Sequence, residues 1–308
     1  MTFKNYMKIS FSNFDKTWKL VLYRIVVWTV ICALMAPCFN PIKQVVTSIW
    51  DYDLFVEFAG AGLFFGKNIA VTFTSVASVL VAGLTKLFTD YLAAGIYLTI
   101  VLFVIKPFLM NLGRFVVNEQ MYGYMSSHAK HGFCSTFIRT LKKSSLYSVF
   151  RMLFTLPFNF SVATIFYFML GAGGDAFAIA MPFVFLAIAT IVLTIKQLLI
   201  TGWAPAYVVS GENIFRSFGI GLMATLRGIS STLIFSLAVY FTMTLLALGF
   251  GVFSLIIIVP LFAIITSIYE MMNYFSCQGM RYYVDRDTVL SSKKLEEQDT
   301  ISKAKFLL

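Results

Sequence analysis

An all-α, polytopic membrane helical bundle of about six transmembrane helices is the fold class this sequence predicts, and three observations predict it. The 308 residues are 59% hydrophobic and only 12% charged, and the mean hydropathy of +0.83 lies far above that of an ordinary soluble domain. Six apolar runs approach the roughly 20 residues that a helix needs to cross a hydrocarbon core: 20–36, 91–112, 145–170, 176–200, 230–250 and 253–275. Lys and Arg gather in short segments between alternate runs, the asymmetry that marks the inner side of a membrane protein.

Those segments orient the chain. Lys4, Lys8, Lys16 and Lys19 precede the first run, and Arg114, Lys130, Arg139, Lys142 and Lys143 follow the second. Lys196, Arg216 and Arg227 flank the next inner loop, and Arg281, Arg286, Lys293 and Lys294 follow the last run. The turns at 171–175 and 249–251 carry no basic residue. Both termini are therefore expected in the cytosol and the body in a cell membrane, as in a bacterial plasma membrane. The formal net charge of +10 then reads as orientation and attraction to membrane lipids with anionic headgroups, and no nucleic acid is expected as a partner. Residues 1–276 form one membrane domain and 277–308 a polar cytosolic tail.

Segment 39–90 needs its own argument. Its 69–88 portion is apolar but rich in Thr, Ser and Gly, with Lys67, Lys86 and Asp90 at its edges. Counting it as a span would invert every later side and put the basic loops outside, so it is expected to be an external or interfacial insertion. Pro107, Pro182 and Pro260 fall in the second, fourth and sixth runs, where each is expected to bend its helix or mark its first turn. Amphipathic stretches at 11–19, 133–143 and 215–227 lead into the odd-numbered runs, giving three units of an interfacial helix followed by a helical hairpin. Phe14-x-x-x-Trp18-Lys19 and Phe137-x-x-x-Leu141-Lys142 are the best-matched pair.

Three stretches together resemble a bacterial family of six-helix membrane proteins related to the membrane domain of some glycerophosphodiester phosphodiesterases. They are Lys106-Pro107 through Gly113 into Phe133 and Leu146; Trp203-Ala204-Pro205-Ala206-Tyr207 followed by Ser217 and Gly228; and Leu248-Gly249 through Pro260 to Tyr269. The resemblance covers about 91–275 and implies the fold. It implies no phosphodiesterase activity, because the catalytic part of such fusions is a separate soluble barrel for which this chain has no room.

Motifs for chemistry are sparse. His128-x-x-His131-x-x-Cys134 would put three ligands on one face if the segment were helical, but no fourth ligand follows and a polar loop explains it as well. Cys32, Cys38, Cys134 and Cys277 show no paired spacing, which argues against a disulfide framework. Leu34-Met35-Ala36-Pro37-Cys38 departs from a lipoprotein signal by its proline. No nucleophile has a base nearby in sequence, and neither a phosphate-binding loop nor a zinc-peptidase helix is present. The reading is therefore a non-enzyme that needs no cofactor and no metal.

The informative set is Arg24, Lys106, Arg151, Lys196 and Glu270, one ionisable residue on each of five runs. At about 1.5 Å per residue they lie roughly 8 to 12 Å from the inner end of their helices. Four cations and one anion at one level form a cytosol-facing basic vestibule for an anionic headgroup or solute, against a second reading in which the long stems snorkel to headgroups. The first functional reading is an accessory or scaffold protein engaging lipids or unknown protein partners at the cytosolic leaflet; the alternative is a transporter or lipid-handling protein built around that vestibule.

Overall fold

A computed structural model describes residues 3–49, 69–172, 181–250, 259–284 and 289–290. Among them the chain is almost wholly helical. Helices α1 (Phe3–Ser12) and α2 (Asp15–Met35) lead through a tight turn at Ala36–Cys38 into α3 (Phe39–Ile49). Helix α4 (Ile69–Asp90) precedes α5 (Leu92–Ile100), a wide π turn (Val101–Ile105) and α6 (Lys106–Ser127). Then come α7 (Phe133–Ala172), α8 (Met181–Ile200), α9 (Trp203–Ser210), α10 (Ile214–Arg227), α11 (Ile229–Phe250) and α12 (Val259–Cys277). A short antiparallel ladder follows, β1 (Tyr282–Tyr283) against β2 (Val289–Leu290), with Tyr282 opposite Leu290.

Five stretches are long and apolar enough to cross a bilayer: Asp15–Val45, Leu92–Ser127, Phe133–Met169, Phe183–Ser210 and Ile229–Leu246. Only 12% to 33% of their apolar windows is buried inside the protein, so most of that surface needs hydrocarbon around it. The all-helical membrane class thus holds, with five such stretches among the described residues where the sequence predicts about six. The sixth run is described only from residue 259, as α12. The helix covers 259–275 of that run, 253–258 lying outside the described residues, and it packs as an interior helix with Ile264, Ile268, Met271, Met272 and Phe275 buried beside Glu270 and Asn273.

Two features correct the expected punctuation. The 133–143 stretch is no separate interfacial helix, because α7 runs unbroken for 40 residues, roughly 60 Å, about twice the hydrocarbon thickness. No helix breaker separates Lys143 from the apolar run, whereas the chain breaks between α1 and α2 and again at Gly228 between α10 and α11. Proline is not confined to even-numbered runs either, since Pro157 lies inside α7. At Pro107 the helix does adjust: the preceding turn widens so that the Lys106 amide donates to the Val101 carbonyl, five residues back. A widened turn beside a residue without an amide proton is a familiar way to accommodate it.

The segments expected on the cytosolic side share one end of the bundle. There Ile9 and Leu20 pack with Val116, Met121 and Tyr124 of α6, Phe133 of α7, Met272 and Phe275 of α12, and Tyr282. The hydroxyl of Tyr6 on α1 donates to the Ile265 carbonyl at 2.9 Å, and burial raises its pKa above the ordinary phenol range, keeping the donor proton in place. Lys16 is almost completely buried there, donating to Asn13 Oδ1 at 2.5 Å and facing the Gln120 carbonyl. At the other end Cys38, Leu87 and Leu98 pack together, and the Thr85 and Tyr167 hydroxyls meet at 2.9 Å, tying α4 to α7.

Two close crossings set the helix spacing around the centre. At Gly113 a side chain would collide with the ring of Tyr23, whose hydroxyl donates to the Leu109 carbonyl at 2.7 Å, so α2 and α6 lie against each other there. Gly202 and Gly221 bring the α8–α9 joint into backbone contact with α10, where neither has room for a Cβ. Thr225 accepts the Gly202 amide at 3.1 Å and closes the same crossing.

Candidate functional site

The polar interior is built around Glu270 on α12, whose side chain has no exposed surface. Its Oε1 accepts from Arg114 Nη2 on α6 as an ion pair and from Gln197 Nε2 on α8 at 2.6 Å. Arg114 also donates to Thr266 Oγ1, one turn before Glu270, at 3.2 Å. Gln197 in turn accepts the hydroxyl proton of Tyr240 on α11 at 2.9 Å. Four helices are thereby linked through one carboxylate, with donors that the apolar surroundings make worth more than in water.

Arg151 is buried on α7 and donates to the Tyr147 hydroxyl one turn earlier. The Tyr147 ring is clamped by Phe115 of α6 at 5.1 Å and by Trp203 of α9 at 5.7 Å, which fixes the arginine's base. Lys196 precedes Gln197 on α8 and donates to Asn159 Oδ1 at 3.1 Å, two residues beyond Pro157. Arg151 and Arg114 both lie within electrostatic range of Lys196, and Arg114 of Tyr147 and Tyr240.

The remaining two predicted residues stand on an adjoining wall. Arg24 on α2 is buried and feels the charge of Arg114. Lys106, at the foot of the π turn, feels Arg24 and places its ammonium 4.6 Å above the Trp28 ring. The five predicted residues thus form two adjoining groups, Arg151, Lys196 and Glu270 around Arg114, and Arg24 with Lys106 beside Trp28.

Arg114 is the residue that sequence reading assigned elsewhere. Ending the second run at Leu112 put it in a cytosolic loop, whereas α6 continues to Ser127 and holds it 14% exposed against Glu270. Gln197 and Tyr240 were also missed. Their signal was present in the sequence, a glutamine beside a lysine inside an apolar run, but the tyrosine's partner depends on how α11 packs.

The charges do not balance. Five cations, Arg24, Lys106, Arg114, Arg151 and Lys196, stand around the centre, and among the described residues Glu270 is the single carboxylate in ion-pair distance of any of them. Polar atoms are also left over. Arg24 Nε, Arg114 Nε, Glu270 Oε2 and the hydroxyls of Ser148 and Ser267 are buried without a hydrogen-bond partner. Buried groups of this kind are normally satisfied. A unit of excess positive charge in a low-dielectric interior is costly unless an anion joins it.

The His128, His131 and Cys134 trio is not brought onto one helix face. Helix α6 ends at Ser127, His128 caps it in the left-handed conformation at φ 56°, and α7 begins only at Phe133. Among the described residues no group of three or more His, Cys, Asp or Glu side chains gathers for a metal.

No protein-family model, curated protein or solved structure matches the chain. Fold and site together define the class: a multi-pass, all-helical membrane protein with a cation-rich polar centre.

Removing the carboxylate while leaving its arginine isolates the importance of the central pair. Glu270→Ala is expected to lower stability by about 3–5 kcal/mol, whereas Arg114→Met combined with Glu270→Met recovers most of the loss, as read from unfolding of the purified protein in detergent. An equal loss in single and double variants contradicts this assignment.

Proposed function

We propose that this chain is a six-span protein of a cell membrane, with cytosolic termini, that takes an anionic group into the centre formed by Arg114, Arg151 and Lys196. The group is a lipid phosphate or a dissolved anion. The imbalance of five cations against one carboxylate carries this reading, together with the buried, unpartnered Arg114 Nε and Ser148 hydroxyl. Gln197 and Tyr240 hold Glu270 to one side, and Arg151 and Lys196, whose hydrogen-bond partners Tyr147 and Asn159 are neutral, form the face without a carboxylate. This favours a lipid-handling or transport protein over a purely passive body. The conjunction of α9, the left-handed Gly211 turn and the small-residue helix α10 supports kinship with the six-helix family that the sequence resembles.

The scaffold reading has its own support. Phe11, Phe14 and Trp18 near the start of α2, and Phe215, Met223 and Leu226 on α10, are exposed beside basic residues, as expected for segments seated in a leaflet.

Topology is tested with single cysteines. Residues placed at Ser48 and Ser75 are expected to react with an impermeant maleimide from outside, and one at Ser291 only after the membrane is opened. Labelling of Ser291→Cys in intact cells contradicts the assignment.

Function is tested on protein purified in a zwitterionic detergent. Inorganic phosphate or an acidic phospholipid is expected to raise the melting midpoint by several degrees, in line with binding well above its dissociation constant. Arg151→Leu and Lys196→Leu are each expected to abolish the rise. An unchanged midpoint in the wild type, or a rise unaffected in both variants, overturns the reading, and flux of the anion or lipid in vesicles separates transport from scaffolding.

A further inference from the structure

We infer that the groove on α2 floored by Arg24 is a lateral seat for the headgroup of an acidic phospholipid, which reaches the basic centre sideways out of the bilayer. This rests on the reading of the centre as an anion site and names the source of the anion.

The groove has a volume of about 300 Å³ and is lined by Arg24, Ile25, Trp28, Thr29 and Cys32. Its floor is cationic. Arg24 is 7% exposed, its Nε has no hydrogen-bond partner, and its charged neighbours Arg114 and Lys106 are both cations. The Lys106 ammonium sits over the Trp28 ring, with the indole face as a partner. A guanidinium presents two parallel donors to a phosphate, which makes Arg24 the natural anchor.

What surrounds the opening decides the source. Leu22, Ile25 and Val26 are 61%, 44% and 61% exposed on the same helix, and Asp15–Val45 is one of the stretches apolar enough to cross a membrane. The one hydroxyl at the rim, Thr29, is spent on the Ile25 carbonyl at 3.0 Å. An apolar rim over a cationic floor excludes a dissolved anion arriving from that side, since its shell of water would be stripped over hydrocarbon. It admits a molecule that carries acyl chains along the exposed Val26 and Val30, toward the midplane, and a phosphate inward to Arg24. The volume suits a phosphate with its glycerol, not an entire lipid.

Cys32 lies in the groove wall, exposed and free, and gives a readout independent of overall stability. In the Cys134→Ser background, alkylation of Cys32 by N-ethylmaleimide is expected to slow in phosphatidylcholine vesicles containing phosphatidylglycerol, relative to phosphatidylcholine alone. After mild extraction, the wild type is expected to retain phosphatidylglycerol over phosphatidylcholine. Arg24→Gln is expected to cut that retention about tenfold, as loss of one charge-assisted contact does, and to abolish the slowing at Cys32. Lys19→Gln, on the same helix but exposed and paired with Asp15, leaves both as in the wild type.

Equal retention of the two lipids, or Cys32 reactivity indifferent to phosphatidylglycerol, overturns the inference. If Arg151→Leu removes retention and Arg24→Gln does not, the seat is wrong while the central anion site stands. If neither phosphate nor the acidic phospholipid raises the melting midpoint, both fall.

Discussion

Glu270 accepts from Arg114 on α6 and from Gln197 on α8, and Gln197 accepts from Tyr240 on α11, so that one buried carboxylate ties four helices together. In hydrocarbon no hydrophobic force draws helices to one another, and association depends on close packing and on polar groups that have nowhere else to go. The same carboxylate leaves the centre positive, because one anion faces five cations. Structural cohesion and the excess of positive charge come from the same few residues.

The rest of the bundle serves that centre. Gly113 lets α2 lie against α6, which brings Arg24 within electrostatic range of Arg114. Contact between Gly202 and Gly221 seats α10 beneath Trp203, whose indole donates to the Ile214 carbonyl at 3.2 Å and packs on Tyr147. Tyr147 then fixes Arg151. The π turn immediately precedes Lys106, and the proline inside α7 lies two residues before Asn159, which accepts from Lys196. Outside, α2, α7, α8 and α11 present exposed apolar faces.

Much of the architecture was legible in the sequence because its signals are local. Apolar runs long enough to span, basic flanks and a sudden change of composition after 277 need no knowledge of packing. That α12 is interior was harder to read, since only its neighbours reveal it. The 133–143 stretch was read as a separate interfacial helix from its amphipathic pattern, but nothing in Lys143-Ser144-Ser145 stops a helix. At the site, the cations were visible as rare charges within apolar runs. Arg114 was not, because its helix outlasts its apolar stretch, and Gln197 and Tyr240 acquire their meaning only from the packing of α8 and α11 on α12.

Phosphorus analysis combined with native mass spectrometry of the full chain, purified in a phosphate-free zwitterionic detergent, tests the central claim most directly. The excess of positive charge at the Glu270 cluster predicts a retained phosphate-bearing anion near one per protein. A bare polypeptide that stays folded with an undiminished melting midpoint would contradict it.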